Sequence, residues 1–152
     1  MTKHDHEPPT PEHGRLRAFV GTWRTEGEVR ATRSSPLAPF RAVDVYEWLP
    51  GGFFLVHRWD AKMPEGDSSG IEILGFDTTS RTYFIHSFDN QGNLGVMEGI
   101  REGDRWTFTG EALRFRGEFG EGGSALTGMW EQRSPDGLTW VPWMDVRLTR
   151  KA

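Results

Sequence analysis

The chain has 152 residues, a formal net charge of −4 at pH 7, 19 glycines, 7 tryptophans, 10 phenylalanines and no cysteine. That length fits one domain able to bury a full core. The weak negative charge supplies no field for nucleic acid or an anionic membrane. The lack of cysteine excludes disulfides, thiolate nucleophiles and thiolate metal sites, which fits a reducing cytosol.

The N-terminus has no apolar run, so no signal peptide or membrane span is expected, and the expected location is cytoplasmic. Met1 to Gly14 is polar and holds Pro8, Pro9 and Pro11. Residues 1–13 read as a disordered leader, because they cannot bury enough surface to order themselves. His4, His6 and His13 lie there without an acidic or cysteine cluster to complete a site, so no metal is expected. Residues 14–152 read as a single domain.

Leu16, Phe19 and Val20 have helical spacing, which predicts a short helix near Glu12 to Val20. Gly21 breaks that period. From Trp23 the period is two, with Trp23, Thr25, Gly27 and Val29 on one face of a strand running to about Ala31. Further strands are expected at Phe40–Leu49, Phe53–Ala61, Gly70–Asp77, Arg81–Asp89, Asn93–Arg101, Arg105–Gly110, Glu111–Phe119, Ser124–Gln132 and Leu138–Arg150. Between them lie turn sequences such as Pro50-Gly51-Gly52 and Asn90-Gln91-Gly92, and a loop is expected at Lys62–Ser69. About ten short strands at regular spacing, with no second helical period, predict an all-β, antiparallel, up-and-down barrel with a short N-terminal helix. Closure removes the edges of so long a sheet.

Gly21-Thr22-Trp23 after a short helix resembles the first strand of the calycin barrels, the lipocalins and fatty-acid-binding proteins. Tyr46-Glu47-Trp48-Leu49-Pro50-Gly51-Gly52-Phe53, then Gly75-Phe76-Asp77 and Arg81-Thr82-Tyr83, extend the likeness. Together these motifs resemble a bacterial calycin-like family of unknown function, related in fold to nitrobindin and the fatty-acid-binding proteins. The resemblance runs from about Glu12 to Arg150. It implies a barrel of about ten strands around a cavity and no established activity. It also implies that Trp23 caps one end of the barrel with Arg150 or Arg147 against its ring. Arg150 is the better placed, being in phase with Trp140, Met144, Val146 and Leu148.

Several motifs carry no chemistry. Gly66-Asp67-Ser68-Ser69-Gly70 matches the hydrolase elbow Gly-x-Ser-x-Gly, but it lacks the strand before and helix after that the elbow needs. Gly117, Gly120, Gly122 and Gly123 have no strand-to-helix frame to cradle a phosphate. Arg101, Arg105, Arg114 and Arg116 alternate with apolar residues and lie near Glu102, Glu111 and Glu118, which reads as a solvated mixed-charge face.

The polar residues of interest are His57, beside Phe53, Leu55 and Trp59, and His86, beside Phe84 and Phe88. An interior imidazole can orient a polar ligand head, ligate a metal or act as acid/base, or it can simply be a satisfied core histidine. Alternation places His57, Trp59, His86, Met97, Trp140 and Met144 on the cavity wall. For Met97 the opposite face, Leu94, Val96 and Ile100, competes for the inward position, and a one-residue bulge inverts any such phase.

The leading reading is a protein that binds a small, largely hydrophobic molecule inside a barrel, a binding rather than a catalytic role, with catalysis left open. The nitrobindin likeness implies an alternative, a haem protein acting on nitrogen oxides or peroxynitrite, with a histidine near the end of the last strand as iron ligand. Here no histidine follows His86, and Met144 stands at the corresponding place. A thioether is a poor sole ligand for ferric haem, so no cofactor is expected. A second alternative is a cavity enzyme using His57 as acid/base beside Asp44 or Glu98. The expected partners are the small hydrophobic molecule and, in a homodimer, a second copy of the chain.

Overall fold

The structure, a computed structural model, describes residues 7–152. The element order is α1 (Pro11–Arg15), a 3₁₀ turn (Leu16–Phe19), β1 (Gly21–Val29), β2 (Ala38–Trp48), β3 (Leu55–Met63), β4 (Gly66–Asp77), β5 (Thr82–Asp89), β6 (Leu94–Glu102), β7 (Arg105–Gly110), β8 (Leu113–Gly120), β9 (Ala125–Arg133) and β10 (Trp140–Arg150). Each strand pairs antiparallel with the next, and β10 returns to β1, closing the barrel. This is the up-and-down, calycin-like architecture that the sequence predicts. No helix among the described residues is long and apolar enough to cross a membrane.

The short N-terminal helix lies where it is expected, starting at Pro11. Thr10 caps it in a reciprocal capping box, with the Thr10 backbone N–H donating to Nδ1 of His13 at 3.0 Å, and Pro11 occupies its first turn. His13 is buried edge-on against Phe53 and Phe76. The ordered domain therefore reaches back into the expected leader of residues 1–13, because this box and ring contact tie the segment down. His4 and His6 lie outside the described residues.

Gly21, at φ 133°, lets the chain leave the 3₁₀ turn directly into β1. Leu16 and Phe19 fall into the barrel end beneath Trp23, whose indole N–H donates to the Phe19 carbonyl at 2.8 Å. Phe19 meets Tyr46, Trp106 and Phe119 with ring centroids 5.0–5.4 Å apart. The guanidinium of Arg150 lies 4.2 Å from the Trp23 ring centre and donates to the carbonyls of Val20 and Ala18. One end of the barrel is thus plugged by helix, 3₁₀ turn and stacked rings.

The expected loop at Lys62–Ser69 is a tight hairpin. β3 runs to Met63, Pro64-Glu65 turn, and β4 starts at Gly66. The Gly-x-Ser-x-Gly sequence is therefore strand, with Ser68 accepting a hydrogen bond from the Trp59 indole at 3.1 Å. Its serine and glycines form the start of a strand rather than a loop because proline at the first turn position closes the reversal in two residues.

Candidate functional site

Cross-strand register sets which side chains share the inner face. Trp23 stands opposite Asp44, Tyr46 opposite His57, and His57 opposite Glu72. Four consecutive strands therefore bring Thr25, Asp44, Tyr46, His57 and Glu72 together. Nε2 of His57 lies 2.6 Å from Oδ1 of Asp44, and Nδ1 lies 2.7 Å from Oε1 of Glu72. The Thr25 hydroxyl donates to the other Asp44 oxygen. The Tyr46 ring lies flat on the imidazole, with centroids 3.9 Å apart and planes 3° from parallel.

Burial alone disfavours a charged imidazole here. The hydrogen bonds to Asp44 and Glu72 and the negative charge of both carboxylates outweigh it and push His57 up to about 9. His57 is thus an imidazolium at neutral pH, donating from both ring nitrogens. Neither nitrogen is free to accept a proton or bind a metal. Burial pushes the Tyr46 phenol well above its ordinary range, reinforced by the charges of Asp44 and Glu72.

Beyond this cluster, away from the plug, the inner-face residues Val29, Trp59, Met63, Ser68 and Ser87 are only half-buried. Trp59 is half-buried, with its ring where a Cβ on Gly70 would stand, 2.3 Å from the nearest ring atom, so only glycine fits there. Met97, Phe108 and Met144 are buried on the inner face, and Ser87, Trp130 and Glu72 are half-buried. Every side-chain nitrogen or oxygen among the described residues that is shut off from solvent has a hydrogen-bond partner. The Tyr46 hydroxyl has no partner among them and is not wholly shut off from solvent, although the residue itself is buried. A separate surface groove, between Pro9–Arg17 and the Trp48–Gly52 turn, lies at the plugged end, away from this cluster.

Of the six residues that alternation placed on the cavity wall, His57, Trp59, Met97 and Met144 face inward. His86 and Trp140 do not. His86 pairs with Ile73 and Val96 on the outer face and is exposed. Both faces of β5 are apolar, so alternation has nothing to choose between. The phase is decided by Tyr83, which packs 4.7 Å from Trp106 and donates its hydroxyl to the Glu12 carbonyl at 2.7 Å. Trp140 is reversed by a bulge between Pro142 and Met144. Its ring lies outside, with the guanidinium carbons of Arg133 and Arg114 at 4.3 and 5.0 Å. Leu94, Val96 and Ile100 point outward.

Of the two carboxylates named for an acid/base pair, Asp44 meets His57, whereas Glu98 is exposed on the outer face. Sequence reasoning missed Glu72, Tyr46 and Thr25 as site residues. Glu72 sits in alternation with Leu74 and Phe76 and was findable as a charge on an inward face. The expected mixed-charge face at Arg114 and Arg116 is more organised than that: both guanidiniums close on Glu131, whose side chain is 4% exposed.

Residues 8–136 match the family model described as a protein of unknown function, DUF1579. The chain belongs to the DUF1579 family. No curated protein matches it. The DUF1579 chain is similar in structure to Rv2717c from M. tuberculosis, with a TM-score of 0.70 and 15% identity over 94% of this chain and 99% of that one. At that identity the likeness carries the fold alone. Weaker similarity, at a TM-score of 0.48 and 12% identity, is to a de novo designed fluorescence-activating β-barrel, covering 90% of this chain and 96% of that one. The zebrafish ileal bile acid-binding protein, in complex with cholic acid, has a TM-score of 0.45 and 14% identity over 89% of this chain and 99% of that one.

Proposed function

We propose that this DUF1579 protein binds a small, largely hydrophobic molecule in the open half of its barrel. The observation that carries this reading is the Asp44–His57–Glu72 cluster, buried on the inner face beside a half of the barrel whose inward side chains are largely apolar and only half-buried. Two carboxylates and an imidazolium held out of bulk water oppose stability unless every partner is satisfied. Such groups gather where chemistry or recognition needs them. Trp59, Met97, Phe108, Trp130 and Met144 supply the apolar wall above them.

Nothing at the site favours the haem alternative. The imidazole that faces the interior has both nitrogens engaged by carboxylates, and His86 stands outside the barrel. The same engagement leaves His57 without a lone pair to act as a base, and in this reading its part is to hold Asp44 and Glu72 in place.

Two measurements test the reading. Native mass spectrometry of protein purified from cells is expected to show a co-purified mass. Titration with an apolar environment-sensitive fluorophore is expected to show saturable binding of one molecule per chain. Ser87, half-buried opposite Glu72, lines the open interior. Ser87→Trp fills that space and should abolish fluorophore binding in a folded protein. Unchanged binding in this variant would place the ligand outside the barrel and overturn the proposal.

A further inference from the structure

We infer that the head group of the bound molecule is a protonated amine, held by the free oxygen of Glu72 and the hydroxyl of Tyr46. This rests on the barrel being a ligand site, as proposed above.

The first ground is charge. Two carboxylates, Asp44 and Glu72, face a single imidazolium, so the cluster carries one negative charge in excess. No lysine or arginine on strands β2, β3, β4 or β9 faces inward beside the cluster. Arg41, Arg58, Lys62 and Arg133 all fall on the outer face by register with their neighbours. Arg150 points inward only at the plugged end, where it covers Trp23. An anionic head would therefore meet uncompensated negative charge in a poorly solvated space, whereas an ammonium restores neutrality.

The second ground is unfilled hydrogen-bonding capacity. Glu72 spends Oε1 on His57 and keeps 14% of its side chain accessible, with its second oxygen left to face the interior. Tyr46 is 8% exposed, yet its hydroxyl has no partner among the described residues. Its ring is pinned between Phe19 and the imidazole, so the hydroxyl is held in place rather than free to swing away. Both groups accept hydrogen bonds, and an ammonium offers three donors and no acceptor. His57 does not touch the head group. It fixes the carboxylate that does.

Decylammonium, decanol and decanoate share one chain and differ in the head, which makes them suitable probes. Isothermal titration at neutral pH, below micelle formation, is expected to show decylammonium binding at least about tenfold tighter than either other probe, as a charge-assisted hydrogen bond supplies. Glu72→Gln should erase that preference. Tyr46→Phe, which keeps the stacked ring, should weaken the amine about threefold or more and leave decanol unchanged. Thermal melts establish that each variant is folded, and Tyr46→Phe carries the test if Glu72→Gln does not fold. Decanol or decanoate binding as tightly as the amine would overturn the head-group assignment and leave the apolar-ligand reading standing. Binding of the fluorophore with no binding of decylammonium would do the same. Failure of all three probes and of the fluorophore would overturn both.

Discussion

The two ends of the barrel are built from the same strands and solve opposite problems. Trp23 and Thr25 are successive inward residues of β1. Trp23 enters a stack of rings that seals the plugged end, whereas Thr25 donates to Asp44 at the floor of the open half. At the plugged end the side-chain donors of Trp23, Tyr83 and Arg150 are all spent on backbone carbonyls. Arg150 takes the carbonyls of Val20 and Ala18 while its guanidinium covers an indole. At the open half the polar groups are ionised side chains, and one carboxylate oxygen and one hydroxyl are left over. Stability is concentrated in the first region. The proposed recognition falls in the second, where a surplus of charge has been kept in spite of its desolvation cost.

The largest expected effect comes from breaking the plug. Trp23 is fully buried at 0% exposure, and Trp23→Ala removes the ring that closes the stack. It should cost about 3–5 kcal/mol, read by urea denaturation. An unchanged melting temperature would remove the ring's role in closure.

A change of pH separates the ends without mutation. His57 is raised to about 9 in the folded protein, so its proton stabilises the fold. That contribution is fully present below the unfolded value of about 6.5 and is lost as pH rises from there through about 9, to a total on the order of 3 kcal/mol. His13, at the plug, behaves in the opposite sense. Burial lowers its value despite the nearby Glu12, so the neutral ring is the stabilising form, and stability falls as pH drops below about 6.5. Melting temperatures across neutral and alkaline pH should therefore decline for the native chain. The alkaline decline should vanish in His57→Gln, and its persistence there would assign it elsewhere.

The smallest effect belongs to the histidine that alternation placed in the cavity and the structure places outside. His86→Ala should change stability by less than about 0.5 kcal/mol and leave ligand affinity untouched. A loss of binding in this variant would mean that the ligand rests on the outer sheet, and the contrast between the two ends would lose its functional meaning.

The sequence by itself determined the barrel. The break from helical to alternating period at Gly21, the regular turns and the alternating strands leave few other ways to bury this chain, because period and turn chemistry are local properties. Inward phase was readable wherever one face of a strand is polar, as at Leu113 and Phe115 against Arg114 and Arg116. It was not readable at β5, where both faces are apolar, nor at Trp140, where a bulge shifts the register. Only the tertiary structure decided the site. Asp44, His57 and Glu72 come from three strands, and their meeting depends on register between β2, β3 and β4, which is set by the Pro50-Gly51-Gly52 and Pro64-Glu65 turns and by closure of the whole sheet. Nothing within any one strand encodes which carboxylate will stand opposite an imidazole. That choice is made by hydrogen-bonded pairing across the barrel, which a one-residue slip would undo.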